Sequence, residues 1–197
     1  MQDRFFKKIY SIGDFYWSLV LSFRGMEYLK LNKEKKLVSN QFKERIMLAV
    51  TEVNGCEACS YAHTKFALEE GMSQEEISSI LSGEMGVIPE EETVAIFFAQ
   101  HYTDQNGKSS KESWQRLVDE YGFEKSMVIL AIIRMMISGN IYGIAVSAMQ
   151  TRLKGKPSGK TSLFYEITML VSFILYLPLA AIHASIENRN NVSLLPY

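Results

Sequence analysis

The chain reads as an all-α protein, a bundle of many helices, and three observations lead there. Apolar residues recur at three- and four-residue spacing, as in Met127, Leu130, Ile133, Met136 and Ile137, which gathers them on one face of a helix. Nothing alternates with period two for long enough to build a strand. Capping and breaking residues stand at intervals that suit helices of roughly 8–20 residues.

The elements follow in order from those signals. A helix is expected over 14–29 and another over 41–53, where Phe42, Ile46, Leu48, Ala49, Val50 and Val53 read as largely buried. Asn54-Gly55 ends the second, because glycine takes the left-handed conformation that closes a helix. A third helix, 56–70, is ended by Gly71, and the capping-box sequence Ser73-Gln74-Glu75-Glu76 starts a short one running to about 81. Residues 83–87 form a connector. Pro89 at a first helical position, trailed by Glu90, Glu91 and Glu92, opens a helix to about 102 whose acidic first turn complements its dipole. A turn at 104–107 leads to helices over 110–121 and 124–149, with Gly139 and Gly143 as points where the second bends or splits. The organisation expected is a helical domain over 1–153, a linker over 154–162 holding Gly155, Pro157 and Gly159, and a C-terminal apolar helix and tail over 163–197.

Composition narrows the function classes. With 197 residues, 47% hydrophobic and 22% charged, the chain has ordinary globular values and enough length for a substantial core. A net charge of -1 gives no basis for nucleic-acid binding, and the basic stretches 30–36 and 152–160 contain few aromatics and read as solvated connectors. The apolar run 15–23 follows Arg4, Lys7 and Lys8 like a signal peptide, but Trp17, Arg24 and the lack of a small-residue cleavage pattern make it a packed helix. Residues 167–186 carry no formal charge over a bilayer's length, yet Ser172, Pro178, His183 and Ser185 interrupt them. Burial in the core or between subunits is therefore expected rather than a membrane span. No glycine-rich phosphate loop follows a strand and no serine nucleophile elbow is present.

The chemistry concentrates in Gly55-Cys56-Glu57-Ala58-Cys59-Ser60-Tyr61-Ala62-His63, which holds both cysteines and one of the 3 histidines. In a helix starting at about Cys56, both sulfurs lie in the first turn. Unpaired N–H groups and the positive dipole end there favour thiolate over thiol, typically by ~0.3–1 kcal/mol. Residues three apart have Cβ atoms roughly 5–6 Å apart, beyond the ~3.5–4.5 Å of a disulfide, so a tightened first turn is needed to close the bond. His63 follows Cys59 by four positions, which puts its imidazole on the same face, placed to move a proton to or from either sulfur. A carboxylate facing that imidazole would orient it and set its tautomer. Glu44 and Glu52 both qualify, with Glu57 a weaker candidate, and spacing does not choose between the first two. Zinc is the competing chemistry, from Cys56, Cys59, His63 and Glu44. Structural zinc sites usually draw a second ligand pair from a distant segment, and no other cysteine exists to supply it. No metal and no cofactor is therefore expected.

Glu44, eleven residues, Cys56-x-x-Cys59, three residues, His63 resembles the signature of the AhpD-like alkylhydroperoxidases within the carboxymuconolactone decarboxylase-like superfamily. All four positions match, and the resemblance is strongest over 40–81. It implies an all-helical AhpD-like bundle that associates into trimers or hexamers, and a cysteine pair that reduces a peroxide and is re-reduced by a dithiol or protein partner. It also implies that Cys59 is the attacking thiolate, Cys56 the resolving cysteine, and His63 and Glu44 the proton relay. The chain departs from the pattern at Ala58, where alkylhydroperoxidases commonly carry a second histidine. The decarboxylase branch lacks the cysteine pair, so Cys56 and Cys59 argue against lactone decarboxylation. The expectation is a cytoplasmic, homo-oligomeric thiol-dependent peroxidase; the alternative is a non-enzymatic zinc-binding or redox-sensing helical protein.

Overall fold

Among the residues described by the computed structural model, 7–84, 88–195 and 197, every regular element is helical. The order is α1 (Ile12–Arg24), α2 (Met26–Lys35), α3 (Asn40–Asn54), α4 (Glu57–Glu69), α5 (Gln74–Ser82), a 3₁₀ turn (Glu90–Glu92), α6 (Thr93–Asp104), α7 (Lys111–Leu153) and α8 (Leu163–Arg189). Arg4 and positions 85–87 of the expected connector lie outside the described residues.

Two boundaries differ from the sequence reading and a third agrees with it, without the bend expected at Gly139 or Gly143. The expected helix over 14–29 is two helices, α1 and α2, meeting at Gly25. A Cβ there would stand 3.1 Å from the Ala131 Cβ on α7, so the glycine permits a close approach. The break in α7 falls at Gly122 (φ 73, ψ 162), between the two expected helices, and α7 stays helical through Gly139 and Gly143. Ser126 Oγ donates to the carbonyls of Gly122 (2.8 Å) and Leu117 (3.0 Å), occupying acceptors at the kink. Pro89 caps a 3₁₀ turn rather than starting α6 directly.

The capping box at Ser73 forms by half. Ser73 Oγ accepts from the Glu76 N–H at 3.1 Å, while the Glu76 carboxylate is 2.5 Å from Arg45 Nε. Arg45, nearly buried on α3, also makes a forked pair with Glu92 at 2.9 Å. One guanidinium thus ties α3 to α5 and to the 3₁₀ turn.

The apolar stripe of α7 packs as core. Met127, Leu130, Ile133 and Met136 are buried with Phe42 and Ile46 of α3 and Ile96 and Tyr102 of α6. A second core lies where α1, α7 and α8 meet. There Phe15, Tyr142 and Phe173 stack with centroids 4.5 to 6.3 Å apart.

Among the described residues two helices are long and apolar enough to cross a membrane by length and composition. In α7 78% of the apolar stretch is buried, but in α8 only 22%. α8 covers α1 and α7 with one side and leaves Phe164, Ile167, Val171, Ile174, Leu179 and Ile182 open on the other. Both its ends are anchored. Arg24 Nη1 meets Glu187 at 2.7 Å, and Arg152 forks onto Glu166 at 2.7 and 2.8 Å, with Thr161 Oγ1 donating to the same carboxylate at 2.7 Å.

The Arg152 guanidinium holds the Glu166 carboxyl below the usual carboxylate range, against the opposing pull of burial. A carboxyl with a depressed folded pKa contributes stability above its unfolded value of about 4.3 and loses it as pH falls through the lower folded value. Glu166→Gln should therefore lower the melting temperature by a few degrees at pH 7, and the gap to wild type should narrow as pH is lowered from about 5 to about 3. Thermal denaturation across that range checks this; a constant gap would assign the loss to packing alone.

Candidate active site

The site starts with the turn between α3 and α4. Gly55 closes α3 in the left-handed region (φ 71), its N–H donating to the Thr51 carbonyl at 2.8 Å. The chain then reverses, and α4 packs back along α3. Cys56 is not in the first turn of α4, as the sequence reading had it; it is the N-cap, with extended backbone (φ -86, ψ 107). That extension is the physical reason two residues three apart join: the Cα atoms are 5.3 Å apart and the sulfurs form a disulfide.

The two sulfurs are not equivalent. Cys56 is fully buried, and its Sγ accepts from the Cys59 N–H at 3.2 Å, as an N-cap side chain does. Cys59 is partly exposed. A small cavity of about 100 Å³ lies on the Cys56 side, with Lys7, Thr51, Glu52 and Ser60 in its walls.

His63 lies one turn beyond Cys59 on α4, and its Nδ1 is 2.7 Å from Glu44 Oε2. The Glu44 side chain is 5% exposed and that of His63 17%. Lys43 Nζ stands 3.7 Å from the other Glu44 oxygen, and the imidazole meets the Phe66 ring edge-on at 5.7 Å. Glu52 is engaged elsewhere, 2.5 Å from Lys7 Nζ, and Glu57 is exposed. Of the carboxylates that spacing left open, Glu44 is the one paired with the imidazole. His101 stands on α6, and His183 on α8 is bonded to Tyr16 at 2.9 Å, so neither belongs to this group.

α7 supplies the floor of the site, and the sequence reading assigned it no part there. An ideal Cβ at Gly143 would stand 2.6 Å from both sulfurs, so the disulfide rests directly on the helix backbone. One turn earlier the Gly139 carbonyl oxygen is 3.6 Å from Cys59 Sγ. One turn later Ser147 Oγ, on a residue 4% exposed, accepts from the Ala58 N–H at 3.1 Å, satisfying a first-turn donor of α4. The available signal was the spacing Gly139, Gly143, Ser147, small residues at every fourth position of an otherwise apolar helix. Within such a row a missing Cβ can mark close approach as well as flexibility, and at Gly143 it marks close approach.

The arrangement can do thiol chemistry. It has one accessible and one buried sulfur at a helix N-terminus, where N–H groups stabilise thiolate, and a carboxylate-held imidazole on the same helix. Among the described residues no group of three His, Cys, Asp or Glu side chains is arranged to hold a metal ion.

Residues 26–86 match the model of the carboxymuconolactone decarboxylase family, which covers the AhpD-like proteins the motif resembles. That stretch includes Glu44, Cys56, Cys59 and His63. No curated protein and no solved structure matches the chain.

Gly143→Ala should prevent the disulfide although alanine is the better helix former, because a methyl group would occupy the place of the sulfurs. Thiol titration of air-oxidised protein should find two free thiols in that variant and none in wild type, with helicity by circular dichroism retained. Gly139→Ala is the control: a Cβ there meets nothing within 4 Å, so the disulfide should persist and stability rise by roughly 0.5–1 kcal/mol.

Proposed function

For a carboxymuconolactone decarboxylase-family segment built around a cysteine pair, we propose a thiol-dependent peroxidase of the AhpD-like type. The observation that carries it is the asymmetry of the pair: Cys59 partly open, Cys56 buried behind it, and on the same helix a His63 held by Glu44 at 2.7 Å.

His63 takes the Cys59 thiol proton at Nε2, while Glu44 fixes the tautomer by accepting Nδ1–H. The Cys59 thiolate attacks the outer oxygen of the hydroperoxide: the S–O bond forms, the O–O bond breaks, and the departing alkoxide takes the proton back from His63 as an alcohol. Cys59 is left as a sulfenic acid. The Cys56 sulfur then attacks it, the S–S bond forms, the S–O bond breaks, and hydroxide leaves with the Cys56 proton as water. A dithiol or a protein dithiol restores the pair through a mixed disulfide at Cys59, and is itself oxidised to a disulfide. Such cycling belongs in a reducing compartment, and we place the protein in the cytoplasm.

We assign the open apolar face of α8 to contact between subunits of a homo-oligomer, a trimer or hexamer, in which membrane attachment and nucleic acid have no part. Sedimentation in detergent-free buffer should give one of those assemblies, and Ile174→Asp, on a residue 71% exposed, should shift it toward monomer. Protein that stays in solution only with detergent would overturn this assignment.

Cys59→Ser should abolish peroxide consumption with dithiothreitol as reductant. With no thiol added, pre-reduced Cys56→Ser should consume one equivalent of peroxide and accumulate a dimedone-reactive sulfenic acid. Glu44→Gln should slow the peroxide step on the order of 10²-fold. A Cys59→Ser protein with full turnover contradicts the proposal. Stoichiometric zinc in protein purified under reducing conditions would favour the zinc-binding alternative, which rests on the same side chains.

A further inference from the structure

A groove of about 680 Å³ runs between α2, the start of α3 and α7, within the ~300–1,000 Å³ of small-molecule sites. Its two sides differ in chemistry. Leu29, Ile132 and Met135 make an apolar wall, and Lys33, Lys36 and Lys43 line the same groove with no carboxylate among its lining residues. Among the described residues neither Lys33 nor Lys36 is ion-paired. α3 opens into the groove with its positive dipole end and no acid in its first turn, while α2 ends there with its carbonyls complemented by Lys33 and Lys35 of its last turn.

Two links tie the groove to the sulfurs. Lys43 reaches Glu44, the carboxylate paired with His63. Met135 stands one helical turn before Gly139, whose carbonyl touches Cys59 Sγ. The cationic side and the apolar wall thus each hold one residue within a position or a helical turn of a residue that contacts the candidate site.

We infer that this groove selects the peroxide: it binds single-chain anionic amphiphiles, so that the preferred substrate is a fatty-acid hydroperoxide held by its carboxylate at Lys33 and Lys36 with its chain along Leu29, Ile132 and Met135. The inference rests on the peroxidase reading for its substrate, and on the groove alone for its ligand. An acyl chain takes the apolar wall, and a carboxylate is drawn to the lysines by a field that salt weakens.

The test uses the full-length protein, the double variant Lys33→Glu/Lys36→Glu, and the charge-keeping Lys33→Arg/Lys36→Arg. Oleate affinity, measured by equilibrium dialysis below its aggregation concentration, should fall about tenfold or more in the Glu variant, persist in the Arg variant, and exceed that of methyl oleate in wild type. In turnover, kcat/KM for linoleate hydroperoxide should fall in parallel in the Glu variant, while kcat/KM for its methyl ester and for cumene hydroperoxide stays within about twofold. Equal oleate binding by wild type and the Glu variant, or equal binding of oleate and methyl oleate, overturns the inference. If wild type consumes no hydroperoxide yet oleate binding follows the lysine charge, the groove stands as a fatty-acid site and only the peroxidase reading falls.

Discussion

The missing side chain at Gly143 is the constraint on which the site depends. α4 presents its sulfurs at its N-terminal end, and that end meets the middle of α7 more closely than any Cβ would allow. A glycine inside a helix costs about 1 kcal/mol in propensity against alanine. α7 bears that cost within a well-packed stretch, since Ile141, Ile144 and Ala145 on either side are buried. In return the disulfide has a fixed seat. The Gly139 carbonyl and the Ser147 hydroxyl lie one turn to each side of it, so a single helix face meets a sulfur, the sulfur pair and a capping N–H in succession. The geometry of α4 at its first turn is thus set as much by α7 as by its own sequence.

That division explains what could be read in advance. Features set by neighbours in the chain were legible: the glycine stop at Gly55, the cysteine pair at the head of a helix, His63 one turn on, the core stripe of α7, and the all-helical class. Features set by tertiary approach were not. Glu44 and Glu52 are eight positions apart on one helix, and the choice between them turned on α4 folding back along α3 while Lys7 engaged Glu52. Gly25 breaks a helix without leaving helical dihedrals (φ -83, ψ -4), so no local rule marks it; its reason is Ala131 across the interface. The capping box at Ser73 is only half made because Glu76 has a stronger partner in Arg45, thirty-one residues away. Gly143 marks where the sulfurs come close rather than where α7 bends, and Gly139 marks neither, since the helix is continuous there and a Cβ would meet nothing within 4 Å.

α8 poses a different balance. Its length and composition satisfy the requirement for a membrane span, but it is pinned at both ends by ion pairs to the body, through Glu166 and Glu187, and its inner side completes a stacked aromatic core. A helix fixed in that way presents its open apolar side as a rigid surface rather than as a mobile anchor. Exposed apolar area on this scale is unusual for an isolated soluble chain, which is why the assembly proposed above assigns that face to a neighbouring subunit.

The proposed chemistry and the proposed groove meet at one carboxylate. Glu44 is nearly buried, with one oxygen on His63 and the other facing Lys43, so the two partners of this carboxylate lie on its two oxygens. Lys43 is thus already engaged by Glu44, which leaves Lys33 and Lys36 as the groove lysines free of an ion pair among the described residues. A carboxylate committed to Nδ1–H keeps Nε2 free to act as base. In that arrangement the two tasks are separate: the proposed groove holds an anionic substrate through Lys33 and Lys36, while Glu44 readies His63 whether or not the substrate carries a charge.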